Sequence, residues 1–438
     1  MKKRIYIVCI TVLIGCNLYT QNILSKEEAI QLTLENNYGV KIAYNNVEVA
    51  ENNKSVLNSG YLPTLTGNAG ATFNKDDISA EFSNGESTSL NGAESSRYNA
   101  GLNLNYTLFD GLGRYYDFKR LKEEYNLSEL QARETIENTI LQLLTVYYDV
   151  ARRAENLKSL EETLEISYDR LVRSEYQFQY GQNTKLDVLN AQVDINNDSI
   201  NVITSKQNVI NSKRDLNVVT GNSVKREFAV DTSVTFLMQL NKEELLEKVL
   251  NNNVTIIQNE KNFAINDFTV KANKSGYLPI VGLTGSYGWN ENNNNAASFV
   301  AVSTNTGLSA GVNFSWNLFD GGSTITRVKN AKINLENLKL QKAQLRLDVE
   351  RNFNNAWDDY QNRLKIYRVQ EENIRTAINN FNRTQEKFKL GQVTSIEFRQ
   401  AQLNLLNTEL SRNQAKYDAK LAEIVVLQIS GELLNVKF

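Results

Sequence analysis

The sequence predicts a mainly α-helical chain that also carries membrane-type β-strands. Long antiparallel coiled-coil helices form an α-barrel, and four strands per chain complete a β-barrel only in an assembly. Three observations predict this. The stretch Leu108-Phe109-Asp110-Gly111 returns as Leu318-Phe319-Asp320-Gly321. Before each copy apolar and small polar residues alternate, and after each copy an apolar pattern of helical period runs on for about sixty residues. The chain has 2 prolines, Pro63 and Pro279, so nothing interrupts the long helices.

The repetition extends beyond that stretch. Ser59-Gly60-Tyr61-Leu62-Pro63 returns as Ser275-Gly276-Tyr277-Leu278-Pro279, Tyr180-Gly181-Gln182 as Leu390-Gly391-Gln392, and Thr220-Gly221 as Ser430-Gly431. Landmarks in one order at a nearly constant offset mark an internal duplication. The expected organisation is a leader over 1–16, a first repeat over 24–220, a linker over 221–239, a second repeat over 240–430 and a tail over 431–438.

Composition excludes several classes. With 438 residues, net charge −2 and 22% charged residues, no clustered basic surface points to nucleic acid. Histidine is absent, which removes Ser-His-Asp and Cys-His nucleophiles and imidazole metal sites. The only cysteines, Cys9 and Cys16, lie in the leader, so the mature chain has no disulfide framework or thiolate site. No phosphate-cradling glycine motif is present. No catalysis, cofactor or metal is expected.

In chain order, Lys2-Lys3-Arg4 followed by the short apolar run Ile5 to Ile14 reads as a secretory signal. Leu13-Ile14-Gly15-Cys16 fits a lipobox, which makes Cys16 a lipidation candidate; ordinary cleavage nearby is the alternative. Leu24 to Ser59 reads as an amphipathic helix opened by a Ser25–Glu28 capping box, and Asn241 to Ser275 is its counterpart. Leu65 to Phe73 and Ala100 to Leu108 read as a strand pair, as do Val281 to Trp289 and Leu308 to Leu318. One face is apolar and the other small and polar, the pattern of outer-membrane strands. The Ser-, Asn- and Gly-rich stretches Asn74 to Arg97 and Asn290 to Asn305 read as exposed polar loops.

Long helices follow. From Gly113 to Phe178 a heptad seam runs through Ile136, Leu143, Val150, Leu157, Leu164, Leu171 and Phe178; its second-repeat counterpart runs through Phe353, Tyr360, Tyr367, Ile374, Phe381 and Phe388. Such a helix is roughly 100 Å long. A turn at Gly181 or Gly391 reverses the chain into return helices, Thr184 to Thr220 and Thr394 to Ser430. Leu186, Val193 and Ile200 continue a seam of seven in the first of these. Within the linker, Ser233 to Leu237 reads as an extended piece.

Four strands cannot close a barrel, and an open edge in lipid leaves backbone groups that each cost several kcal/mol. Closure demands several chains, and three copies supply twelve strands and twelve helical columns. At this point the tandem arrangement, the paired junctions and the glycine turns resemble the TolC-like outer-membrane efflux proteins, over nearly the whole mature chain. That resemblance implies a homotrimer in the outer membrane of a Gram-negative bacterium, with the helices in the periplasm. It implies an exit duct for an inner-membrane pump or a type I secretion system, docked through a periplasmic adaptor. It places Gly181, Gln182, Gly391 and Gln392 at adaptor-contacting turns. It places Glu397 and Gln400, with the first-repeat equivalent Asp187, at a constricting entrance where the family often carries two acidic rings. Here the second acidic position is an amide, with Arg399 beside it. A periplasmic coiled-coil adaptor is the competing reading, but adaptors carry one hairpin per chain and lack the four strands.

Overall fold

The computed structural model describes residues 23–237 and 240–436. The leader with Cys16 and the terminal Phe438 lie outside the described residues. In order the elements are β1 (Ile23–Leu24), α1 (Lys26–Asn36), α2 (Tyr38–Asn53), β2 (Thr64–Glu81), β3 (Ser87–Phe109), α3 (Gly113–Gln179) and α4 (Lys185–Val219), followed by β4 (Ala229–Val230), α5 (Lys242–Asn252), α6 (Val254–Lys274), β5 (Ile280–Asn293), β6 (Val302–Ser315), α7 (Ser323–Lys389) and α8 (Ser395–Ile429). The internal repeat is exact in helix length: α3 and α7 have 67 residues each, α4 and α8 have 35 each. No described helix is long and apolar enough to cross a membrane.

The chain divides into two units. One contains Ile42–Glu134 and Leu250–Glu350 and holds the antiparallel sheet, in the order β2-β3-β5-β6. Its register carries the predicted alternation across all four strands. Leu65, Leu104, Gly285 and Ala310 share one row and face, whereas Thr66, Asn103, Ser286 and Ser309 share the next row on the opposite face. The apolar face is open in the single chain, with Leu308 at 80% exposure and Val312 at 69%. β2 and β6 each have a neighbour on one side only.

Several expectations for this unit are corrected. The predicted loop Asn74 to Arg97 is mostly strand, because β2 and β3 stay paired from Asn74↔Ser95 to Glu81↔Ser87 with one irregularity. Likewise β5 and β6 remain paired out to Asn293↔Val302. Composition misread these segments because their stability comes from cross-strand bonding, such as Lys75 to Glu94 at 3.0 Å, and not from an apolar face. β6 ends at Ser315, short of Leu318, and the Trp316 indole instead donates to Tyr277 O at 3.2 Å. The predicted single helices 24–59 and 241–275 are each broken, at Asn37 and Asn253. Asn37 Oδ1 accepts from the Gly39 and Val40 amides, and Asn253 Oδ1 from those of Thr255 and Ile256. An asparagine side chain that caps a new helix start outcompetes continuation of the old one.

The strand-to-helix junctions are built by their aspartates. Asp110 Oδ2 accepts from the Arg114 amide at 3.0 Å and its Nε at 2.9 Å, while the Arg114 guanidinium also reaches Gly60 O and Thr107 O. In the second copy Asp320 Oδ2 takes the Thr324 amide and hydroxyl. Both turns need left-handed backbone. The second uses Gly321 and Gly322, but the first uses Gly111 and Leu112, the latter at φ 69 despite its side chain.

The other unit contains the residues up to Lys41, Thr135–Val249 and those from Arg351 on. Its core includes Leu143, Tyr147, Tyr148, Val150, Tyr417 and Ile424. β1 pairs in parallel with β4, the strand Ala229–Val230 of the linker, while Ser233 to Leu237 is not part of a strand. The stretch from Thr232 to Leu237 bonds to side chains: Tyr417 and Lys416 donate to Thr232 O, Lys420 donates to Thr235 O, and the Leu237 amide donates to Glu423. Side chains thus take up part of its polar backbone without a neighbouring strand. The Ser25–Glu28 capping box is half formed. Ser25 Oγ accepts from the Glu28 amide, but the Glu28 carboxylate pairs with Arg226 at 3.2 Å.

The heptad seam of α7 is buried through Phe353, Tyr360, Ile374, Phe381 and Phe388. Two other seams differ from expectation. In the first-repeat return helix the predicted Leu186, Val193 and Ile200 are exposed, and Val188, Ile195, Val202, Val209 and Leu216 are buried instead. In α3 the buried line beyond residue 157 runs through Ser159, Thr163, Ser167, Arg170 and Ser174, while Phe178 is 42% exposed. Both helices carry two stripes at helical spacing, and periodicity alone does not say which one meets the chain's own neighbour.

Candidate functional site at the hairpin turns

Each long helix ends in the same closure. The Gly181 amide donates to Phe178 O at 3.0 Å and the Gln182 amide to Gln177 O at 2.8 Å. At the second turn Gly391 donates to Phe388 O and Gln392 to Lys387 O, at 3.1 and 2.8 Å. The two glycines adopt φ +70° and +75°, and nothing lies within 4 Å of where a Cβ would sit. The requirement for glycine is therefore one of backbone conformation alone. Gln182 and Gln392 are both exposed.

The N-caps of the return helices, Thr184 and Thr394, stand two residues further on, and here the candidate carboxylates take on a structural task. The Thr394 amide and hydroxyl donate to Glu397 Oε2 at 2.7 and 3.0 Å, and the Glu397 amide donates back to Thr394 Oγ1 at 3.2 Å. This capping box holds the exposed Glu397 carboxyl below the ordinary glutamate range, through the Thr394 amide first and its hydroxyl second. Thr184 donates in the same way to Asp187 Oδ2, from its amide at 3.3 Å and its hydroxyl at 2.7 Å. Gln400, one turn beyond Glu397, is exposed and donates to Asn404 at 2.9 Å.

In the sequence Arg399 is only a neighbour of the candidate entrance residues. The structure makes it the centre of a buried network. Its guanidinium grips Asp198 of α4 bidentately, 2.8 Å to each oxygen, and Nη1 also donates to Gln402 Oε1 and Ser167 Oγ. Ser167 donates to Asp198 at 2.7 Å, and Gln402 Nε2 donates to Thr163 O at 2.7 Å. Asp194, one turn before Asp198, pairs with Arg170. The network ties α8 to both helices of the first hairpin. Nearer the turn, Phe388 and Phe398 stack with centroids 4.6 Å apart, and Arg173 lies over Phe388 at 5.6 Å while donating to Lys389 O. A signal was available: Ser159, Thr163, Ser167, Arg170 and Ser174 recur at spacings of three and four on one face.

The architecture defines a class: a duplicated chain of two long helical hairpins, each following two strands of a shared open sheet. The chain belongs to the outer membrane efflux protein family, whose model matches residues 29–222 and 245–432. It is 22% identical over 381 residues to outer membrane protein TolC of Vibrio cholerae, covering 86% of this chain and 83% of that protein. Outer membrane efflux protein BepC of Brucella suis is 20% identical over 450 residues, covering 99% of this chain and 92% of the relative. The crystal structure of the Campylobacter jejuni CmeC outer membrane channel has the same fold, with a TM-score of 0.77 at 18% identity over 93% of this chain and 86% of that one.

Proposed function

We propose that this chain is one third of the wall of a passive exit duct. Three copies would close a twelve-stranded barrel in the outer membrane and continue it as a helical barrel through the periplasm. The duct would serve an inner-membrane pump or type I secretion system. The observation that carries this reading is the sheet: two open edges and an apolar face left open to solvent in one chain. In lipid those edges demand partners, and joining β2 of one copy to β6 of the next supplies them. The exposed stripe Leu186, Val193 and Ile200 supports the same conclusion for the helices. A periplasmic adaptor, the competing reading, would have no use for such a sheet. Fractionation tests the choice: a heat-modifiable trimer in outer membranes supports the duct, and a soluble monomer refutes it.

In this reading Glu397, Asp187 and Gln400 line the periplasmic entrance, and Gly181, Gln182, Gly391 and Gln392 meet the adaptor. The capping box dictates how Glu397 must be tested. Ala would remove both charge and cap, at about 0.5–2 kcal/mol for the cap, whereas Gln keeps the cap. Glu397→Gln is therefore expected to weaken divalent-cation block of single channels with no loss of trimer; unchanged block would place Glu397 away from the entrance. Gln182→Cys and Gln392→Cys are expected to crosslink to a periplasmic adaptor in intact cells. Crosslinks absent at both turns, but present from mid-helix sites, would move the contact elsewhere.

A further inference from the structure

We infer that Arg97 forms a cationic ring at the outward mouth of the duct and makes that mouth selective for anionic solutes. This rests on the conduit reading above. It follows from the charge distribution on the polar face of the sheet. From the row of Thr64 to the row of Thr72 all four strands are paired, and the positions on this face are Thr, Ser, Asn and Gly, with Arg97 the single charged residue. Arg97 stands in the outermost of these rows, with Thr72, Asn292 and Ser303. Its Nε donates to Asn292 Oδ1 at 2.8 Å across the β3–β5 pair, which fixes the side chain along the sheet. Among the described residues no carboxylate pairs with it, so its charge is not cancelled within the chain. The nearest acids belong elsewhere: Glu94, on the same strand, bonds to Lys75, and both it and Glu291 of the neighbouring strand fall on the opposite face. Asp76 shares the face of Arg97 but sits further out, paired with Ala93 where β5 and β6 have already ended.

Closure by three copies repeats the Arg97 row three times around the lumen. Rings of Arg or Lys favour anions in pores, because fixed charge on a narrow wall raises the local counter-ion concentration. The lining on either side of the ring is neutral, so nothing within a Debye length of about 8 Å at physiological salt opposes it inside the four-stranded zone. Cargo leaving the four-stranded zone would cross positive charge at its outer end, and polyvalent cations entering that zone from outside would be repelled.

The test is side-specific block of the purified trimer in planar bilayers at physiological ionic strength, where charges more than about 8 Å away are screened. Hexacyanoferrate(II), a tetravalent anion, is added to the strand side or to the helix side. Wild type is expected to be blocked from the strand side at lower concentration than from the helix side. Arg97→Gln should raise the strand-side blocking concentration roughly tenfold, Arg97→Lys should keep it within about twofold of wild type because the charge remains, and Asp76→Asn should leave it unchanged. Arg97→Glu should transfer strand-side block to hexaamminecobalt(III), a trivalent cation. A conducting trimer whose strand-side block ignores Arg97→Gln overturns this inference and leaves the conduit intact. A trimer that never conducts overturns the conduit and this inference with it.

Discussion

Val312→Lys is expected to abolish trimer assembly, while Asn313→Lys, the next residue on the same strand, is expected to leave it intact. Val312 shares its row with Leu283 and its exposed apolar face with Leu308 and Phe314. Asn313, opposite Gly282, points to the polar side. Lysine on the lipid face costs about 2–4 kcal/mol near the midplane, and a three-copy barrel would bear that cost three times. The polar side, in the proposed assembly, is water-filled and tolerates charge. Leu104, in the row of Leu65 and Gly285, should behave like Val312. The measurement is the yield of heat-modifiable trimer extracted from outer membranes. Equal yields from the Val312 and Asn313 variants would mean that the apolar face does not meet lipid.

Arg399→Ala is expected to release α8 from the first hairpin. The side chains of Arg399 and Asp198 are 12% and 4% exposed. Truncating the arginine leaves the Asp198 carboxylate buried with Ser167 as its remaining partner, a loss of about 3–5 kcal/mol for a buried pair broken on one side. Amide exchange across residues 163–174 and 399–406 should then accelerate roughly a hundredfold or more. Removing both partners in Arg399→Ala/Asp198→Ala should cost less than Arg399→Ala alone, because no charge is stranded. Arg399→Lys should not restore protection, since one ammonium cannot grip both oxygens. Exchange unchanged in Arg399→Ala would reduce the network to a passive surface contact. In the duct reading this network holds the entrance hairpins together, so the same variant should open the channel more often.

The two candidate carboxylates illustrate how far sequence reasoning reaches. Their position six residues after a turn glycine was legible, because the turn, the threonine cap and the helix start are all local signals. That Thr394 would turn Glu397 into a capping group was legible in principle, since the spacing is that of a capping box. The Arg399 network was legible only as the polar line along α3, not as a set of partners. Its members Ser167, Asp198 and Gln402 lie on three helices far apart in the chain, and each in isolation reads as an ordinary polar surface residue.

By itself the sequence determined the duplication, the junctions, the turns, the ends of the long helices and the alternation of the strands. All of these follow from short-range periodicity and from residues with special backbone or capping behaviour. Only the tertiary structure decided which of two stripes each helix turns inward, where α1–α2 and α5–α6 break, and how far the β2–β3 hairpin extends past its apolar band. The reason is physical. A stripe of Val188 and Ile195 and a stripe of Leu186 and Val193 have the same period, and what separates them is the presence of a neighbouring helix on one side, which no local pattern records.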